Sequence, residues 1–116
     1  MKKRAFMLIM LSVFLMVPAH AMSVRAIRVA PSLSFNNTEA TCSVLITPDW
    51  TTDKVSANME LWQGSTPIDD WSGDGSGVLK LEGTATVAKN KTYTLVVYYS
   101  VNGDEQTPVR VTRTNV

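Results

Sequence analysis

The side chains with the most chemical reach in this chain are three aspartates in one short segment, Asp69, Asp70 and Asp74, with Glu60, Cys42 and the indoles of Trp62 and Trp71. Asp70, Ser72, Asp74 and Gly75 match positions 1, 3, 5 and 6 of an EF-hand calcium loop, which supply oxygen ligands and a turn glycine. The match then fails: the twelfth position is Leu81, Glu82 comes one residue late, and no helical pattern flanks the segment. Asp70 and Asp74 are thus candidate metal ligands, for calcium, against the plainer expectation of a solvated polar turn. No cofactor is expected. Acid/base work on a glycosidic bond needs two carboxyl groups ~5 to 9 Å apart. Asp69 and Asp70 are chain neighbours, and neighbours on a strand point to opposite faces. Asp70 with Glu60 or Glu82 could form such a pair, but nothing in their spacing demands it.

Cys42 is the only cysteine and His20 the only histidine. Ala40, Cys42, Val44 and Ile46 alternate with Thr41, Ser43 and Leu45, a phase that points the thiol inward as a small buried hydrophobe. Without a histidine beside it, a nucleophilic role has no activating base. His20 falls within the segment expected to be removed on export, so Ser-His-Asp and Cys-His catalysis and histidine-ligated zinc are not expected in the exported chain. The chain is not expected to be an enzyme.

The export expectation rests on the first 21 residues. Lys2, Lys3 and Arg4 precede a run from Ala5 to Val17 that is almost wholly apolar, and Ala19-His20-Ala21 follows, the layout of a secretory signal peptide cleaved after Ala21. The run is short of the ~20 residues that a bilayer core requires. A signal over residues 1–21 and a single domain over 22–116 are therefore expected, secreted and with no membrane span after cleavage. Of the 11 Lys and Arg, 3 lie before Ala5, which leaves 8 against 10 Asp and Glu and excludes a basic nucleic-acid footprint. One cysteine allows no internal disulfide, so the core alone must hold the domain.

The elements that position these residues read as strands. Two-residue alternation bounded by Gly, Pro, Asn and Asp recurs from Met22 onward, with no helical period. Seven strands are predicted, over about 24–35, 39–47, 54–62, 66–71, 78–87, 90–102 and 106–112. Pro31 marks the first as an edge strand. Asn36-Asn37, Gly64-Ser65 and Asn102-Gly103 are turns, the last with the type I′ signature or the start of a slightly longer turn. Gly73 to Gly77 reads as a loop, and Gly83 as a bend. Tyr93, just after a turn at the head of the penultimate strand, stands where immunoglobulin-like sandwiches carry their tyrosine corner. The fold class is all-β, an immunoglobulin-like antiparallel sandwich behind a cleavable signal helix.

A two-residue turn at Gly64-Ser65 pairs Leu61 with Ile68 on the inner face and Trp62 with Pro67 on the outer one. Continued, it sends Asp70 into the core opposite Met59, so a bulge or an early strand end is expected near Asp69-Asp70. It also places Trp62 and Trp71 on the outer face about 13 Å apart, where indoles could stack on sugar rings or anchor a protein. Packing at the sandwich edge or under a loop is the stronger reading for Trp71, and Trp62 is the better candidate for exposure. Trp50, beside Pro48 and Asp49, has no assigned orientation. The sequons at Asn36 and Asn90 read as turns, and Arg110, Thr112 and Asn115 as a solvated edge.

Leu33-Ser34-Phe35, Glu39 to Val44, Met59 to Thr66 with its Leu-Trp-Gln-Gly-Ser block, Trp71-Ser72-Gly73 and Lys91 to Leu95 together resemble a group of short secreted proteins of Gram-positive gut bacteria, uncharacterised domains of unknown function. The likeness runs over nearly all of Arg28 to Gly103; Asn36-Asn37 and Asp69-Asp70 are more polar than its pattern. It implies secretion and a sandwich fold and transfers no catalytic residues.

The function expected is that of a secreted, non-catalytic module, a monomer, whose partner is an unknown protein or an envelope glycan. Trp62, Trp71 and Glu60 are the candidate binding residues. The alternative is a small carbohydrate-binding module using outward tryptophans.

Overall fold

The computed structural model describes residues 27–116, so the expected signal over 1–21 lies outside the described residues. Eight strands follow one another: β1 (Arg28–Asn36), β2 (Glu39–Thr47), β3 (Lys54–Gln63), β4 (Thr66–Ser76), β5 (Leu79–Thr86), β6 (Lys91–Val101), β7 (Asp104–Glu105) and β8 (Val109–Asn115). They form two antiparallel sheets, β1-β2-β5 and β4-β3-β6 with β7 and β8 both paired to β6. The sandwich expected from the alternation is the fold, with eight strands instead of seven because the chain makes the two-residue β7 before β8 starts at Val109.

The core is made by the inward phase of each strand. Leu33, Cys42, Val44, Ile46, Val55, Met59, Leu61, Leu95 and Val97 are all essentially inaccessible. A fully buried side chain of this kind contributes about 1.5 to 3 kcal/mol, so no disulfide is needed. Cys42 is one of these core residues, a free thiol. Its pKa is pushed up to about 11, first by burial and then by the charge of Asp69. The thiolate is therefore disfavoured at neutral pH.

Turn chemistry fixes the register. Val101 pairs with Asp104 across Asn102 and Gly103, which take φ of 52° and 85°, the pair of positive values that a type I′ turn requires. Tyr93 is 1% exposed. Its hydroxyl accepts a 2.7 Å hydrogen bond from the Ala88 amide, tying the head of β6 to the loop before it as in a tyrosine corner. β1 is an edge strand, as Pro31 requires. Asn115 is a correction: it is buried, not part of a solvated edge, and its amide donates to the carbonyls of Asn37 at 2.7 Å and Ala88 at 3.1 Å.

The Gly- and Ser-rich stretch is a second correction, for it is strand and not loop. β4 runs unbroken to Ser76. Gly73 and Gly75 pair with the inward residues Ala57 and Val55, and a Cβ on Gly73 would come within 2.7 Å of Leu81 Cδ2. The missing side chain of Gly73 lets β4 close against β5 of the other sheet. Composition suggests flexibility there, whereas Gly73 answers a need for space. Gly83 has a related role: it is not a bend but an interior residue of β5, opposite Cys42.

Candidate functional site

The hairpin of β3 and β4 decides which candidate residues meet. Trp62 pairs with Pro67 as the turn predicts, but Leu61 pairs with Asp69, so the register shifts between Leu61 and Trp62 and Ile68 is the extra residue. A one-residue shift turns every later side chain to the other face. Asp70 consequently pairs with Glu60 on the outer face instead of facing the core, and Trp71 pairs with Met59 on the inner face. The bulge relieves the burial of Asp70 and lies one residue nearer the turn than expected.

Trp71 is accordingly not on the outer face, and the paired-indole platform does not form. It is half-buried against the core. A Cβ placed on Gly83 would stand 2.3 Å from its indole ring, so the ring lies directly on the Gly83 backbone. This is the edge packing weighed above exposure for this residue.

Trp62 is outward and half-exposed, and its indole Nε1 donates a 3.0 Å hydrogen bond to Glu60 Oε1. The two residues are two apart on β3, hence on one face. Glu60 is only 5% exposed although it lies on the outer side of the sheet. Its cross-strand neighbours are Asp70 on β4 and the buried Val96 on β6, with Arg110 of β8 beyond. The next row holds Ser72, Asn58 and the half-buried Tyr98. Sequence reasoning did not single out Tyr98 because Tyr93, Leu95, Val97 and Tyr99 carry the stronger inward phase of β6; the outward phase of Asn58, its partner, would have located it. Tyr99, on the inner side, has its hydroxyl pKa raised by burial.

Beyond Tyr98 the face opens into a shallow depression of about 390 Å³, lined by Lys54, Ser56, Asp74, Ser76, Ser100 and Gly103. Glu105 pairs with Ser100, and partial burial raises its carboxyl pKa. Trp62 and Tyr98 thus stand on one surface with carboxylate, amide, guanidinium and hydroxyl groups between and beside them. From the register their Cα atoms are about 14 Å apart, four residues along one strand and one strand across.

The metal expectation at Asp70 and Asp74 is not met. Both lie in β4, four residues apart on one face, a separation of about 13 Å, whereas ligands of one calcium ion must each approach it to about 2.3 to 2.6 Å. Among the described residues no group of three or more Cys, Asp or Glu side chains could hold a metal ion.

Trp50, which had no assigned orientation, is 64% exposed. It lies in the loop joining β2 to β3, far from Trp62 along β3. Among the described residues, no helix is long and apolar enough to cross a membrane.

No protein-family profile matches this chain, and no curated protein does. It is similar in structure to the sensor domain of the anti-sigma factor RsgI4 of Pseudobacteroides cellulosolvens in two forms. The shorter aligns with a TM-score of 0.50 at 15% identity, over 78% of this chain and 96% of that one. The longer aligns with a TM-score of 0.45 at 16% identity, over 80% and 92%. At such low identity the likeness to the shorter form is one of fold, and it agrees with the two-sheet sandwich described above.

Proposed function

We propose that this chain is a secreted, non-catalytic binding module that engages a protein or cell-envelope surface through the outer face of its five-stranded sheet, centred on Trp62 and Glu60. The observation that carries the reading is the tethered indole. Trp62 is half-exposed on a regular strand, and its N–H is fixed on a buried carboxylate. A large side chain held in one orientation loses little entropy on contact, which is the quality of an interface anchor. A sandwich with no histidine in its described residues and a core cysteine kept protonated suits contact better than chemistry. The sandwich it resembles serves as a sensor domain in its own protein, a role of the same broad kind.

A second reading, an envelope glycan as the ligand, is favoured by Tyr98. With Trp71 turned inward, Trp62 and Tyr98 are the aromatic pair on this face, and the polar groups beside them could satisfy sugar hydroxyls. The experiment for both is binding of the purified secreted protein to an array of bacterial wall glycans, mucins and plant polysaccharides, in wild type and Trp62→Ala. A glycan signal lost in Trp62→Ala is the expected result for the second reading. A blank array together with no Trp62-dependent capture of envelope proteins would sink both.

A further inference from the structure

The two edge strands of the five-stranded sheet carry opposite charge. β4 holds Asp69, Asp70 and Asp74 and neither Lys nor Arg, whereas β8 holds Arg110 and Arg113 and neither Asp nor Glu. All five residues are exposed. Among the described residues, Arg110, Arg113 and Asp74 form no ion pair. Neighbouring strands do not cancel the contrast. On β5, beside β4, Lys80 lies 3.9 Å from Glu82, and β1, beside β8, carries Arg28 and no carboxylate. β7 puts Asp104 and Glu105 on the same side of β6 as β8, but against Val101 and Ser100, at least four residues along β6 from Val96 and Tyr93, the partners of the two arginines, a separation of about 13 Å or more.

Both edges are also open main chain. Among the described residues β4 pairs only with β3, and β8 only with β6. The outer N–H and C=O groups of each strand therefore have no ladder partner, which is the template on which a further strand adds. Direction favours one addition over the others. β4 is antiparallel to β3, β3 to β6 and β6 to β8, so the two edges run in opposite directions. A second copy set beside the first by translation brings its β4 antiparallel to β8. Pairing β4 with β4, or β8 with β8, would instead set like charges against each other.

We infer that a second copy of this chain docks its acidic β4 edge on the basic β8 edge of the first, so that the five-stranded sheet continues from molecule to molecule. A register with Arg113 opposite Asp69 keeps every paired side chain on its own side of the sheet. It sets Arg110 opposite Ser72, diagonally between Asp70 and Asp74, and Val111 opposite Trp71. Val111 and Trp71 each pack against their own core, so the junction joins two apolar margins on the inner side. The ladder and this contact hold the junction, and the charges choose the edges. The contact is heterologous: every assembly keeps one free edge of each kind, so it grows as an open chain, wound by the sheet twist. The Trp62 face repeats along that chain, which turns a single site into a multivalent row. The junction uses neither Trp62 nor Glu60 and does not depend on what that face binds.

The test is sedimentation velocity of the secreted protein over a range of concentrations, at low and at high salt. At low salt the average mass should rise with concentration without levelling at a dimer, and high salt should reduce it. Arg110→Glu with Arg113→Glu, and separately Asp69→Lys with Asp74→Lys, should each raise the concentration needed for association at least about tenfold. An equimolar mixture of the two double variants should restore association, because each then offers the other an edge of opposite sign. All four positions are exposed, and near-ultraviolet circular dichroism checks that each variant keeps the fold. A wild type that stays monomeric at low salt, an association that stops at a dimer, or one that neither double variant changes overturns the inference. A mixture that fails to associate does the same.

Discussion

Trp62 and Trp71 lie nine residues apart on one hairpin, and they end on opposite sides of the sheet. Trp62 is outward, tethered to Glu60. Trp71 is inward, flat on Gly83 and against the core. Nothing in the two side chains distinguishes them; the single extra residue Ile68 does. The difference teaches that on a strand the role of an aromatic side chain is set by register before it is set by chemistry.

The most severe way to break this comparison is to exchange the two neighbours that the register sends to opposite faces, Asp70→Trp with Trp71→Asp. The carboxylate would then stand opposite Met59 on the inner side and the indole on the outer one. Placing a carboxylate among apolar residues and uncovering Gly83 should cost more than about 4 kcal/mol, read as loss of the cooperative unfolding transition in guanidinium. A stable, native-like exchange variant would show that the register does not assign the faces.

A gentler version truncates each indole in turn. Trp71→Ala should destabilise the domain by about 2 to 3 kcal/mol, below the range for a fully buried tryptophan because this one is half-buried. Trp62→Ala should cost less than about 1 kcal/mol while removing ligand binding. Gly83→Ala attacks the Trp71 contact from the other side, by forcing a methyl into the indole, and should cost about 1 to 3 kcal/mol. Denaturant melts of the three variants decide the ranking; equal losses for the two tryptophan variants would erase the distinction.

The smallest effect is a pH signal from Cys42, which pairs with Gly83 beneath the Trp71 cover. Its folded pKa is about 11 against an ordinary 9.0, so the folded state prefers the protonated thiol. The corresponding stability is fully present below pH 9 and declines as pH rises from about 9 through 11. Alkylation should be slow at neutral pH in wild type and Trp62→Ala, and faster in Trp71→Ala. Equally slow reaction in all three would mean that Trp71 does not guard the thiol.

Much of the fold could be read from the sequence because its signals are local. Alternation identified the strands, Asn102-Gly103 the I′ turn and Tyr93 the corner, each through contacts or dihedral angles a few residues long. The site was only half legible. Trp62 and Glu60 follow from the phase of β3 alone, which four inward hydrophobics fix. Trp71, Asp70 and Asp74 depend on β4, whose glycines and aspartates carry no strong phase, and Tyr98 was hidden behind the more apolar side of β6.

The sequence by itself determined an all-β chain with a self-sufficient core, an inward cysteine and an outward Trp62, because side-chain alternation and turn dihedral angles need no distant partner. Only the tertiary structure decided where β4 bulges, that Gly73 and Gly83 make room for Leu81 and Trp71, and that Asp53 reaches Asn102, 49 residues away, to brace the Trp50 loop. Those outcomes depend on how closely two sheets approach and on which buried polar groups find partners across them. Both are properties of surfaces brought together, and neither is written in any one segment.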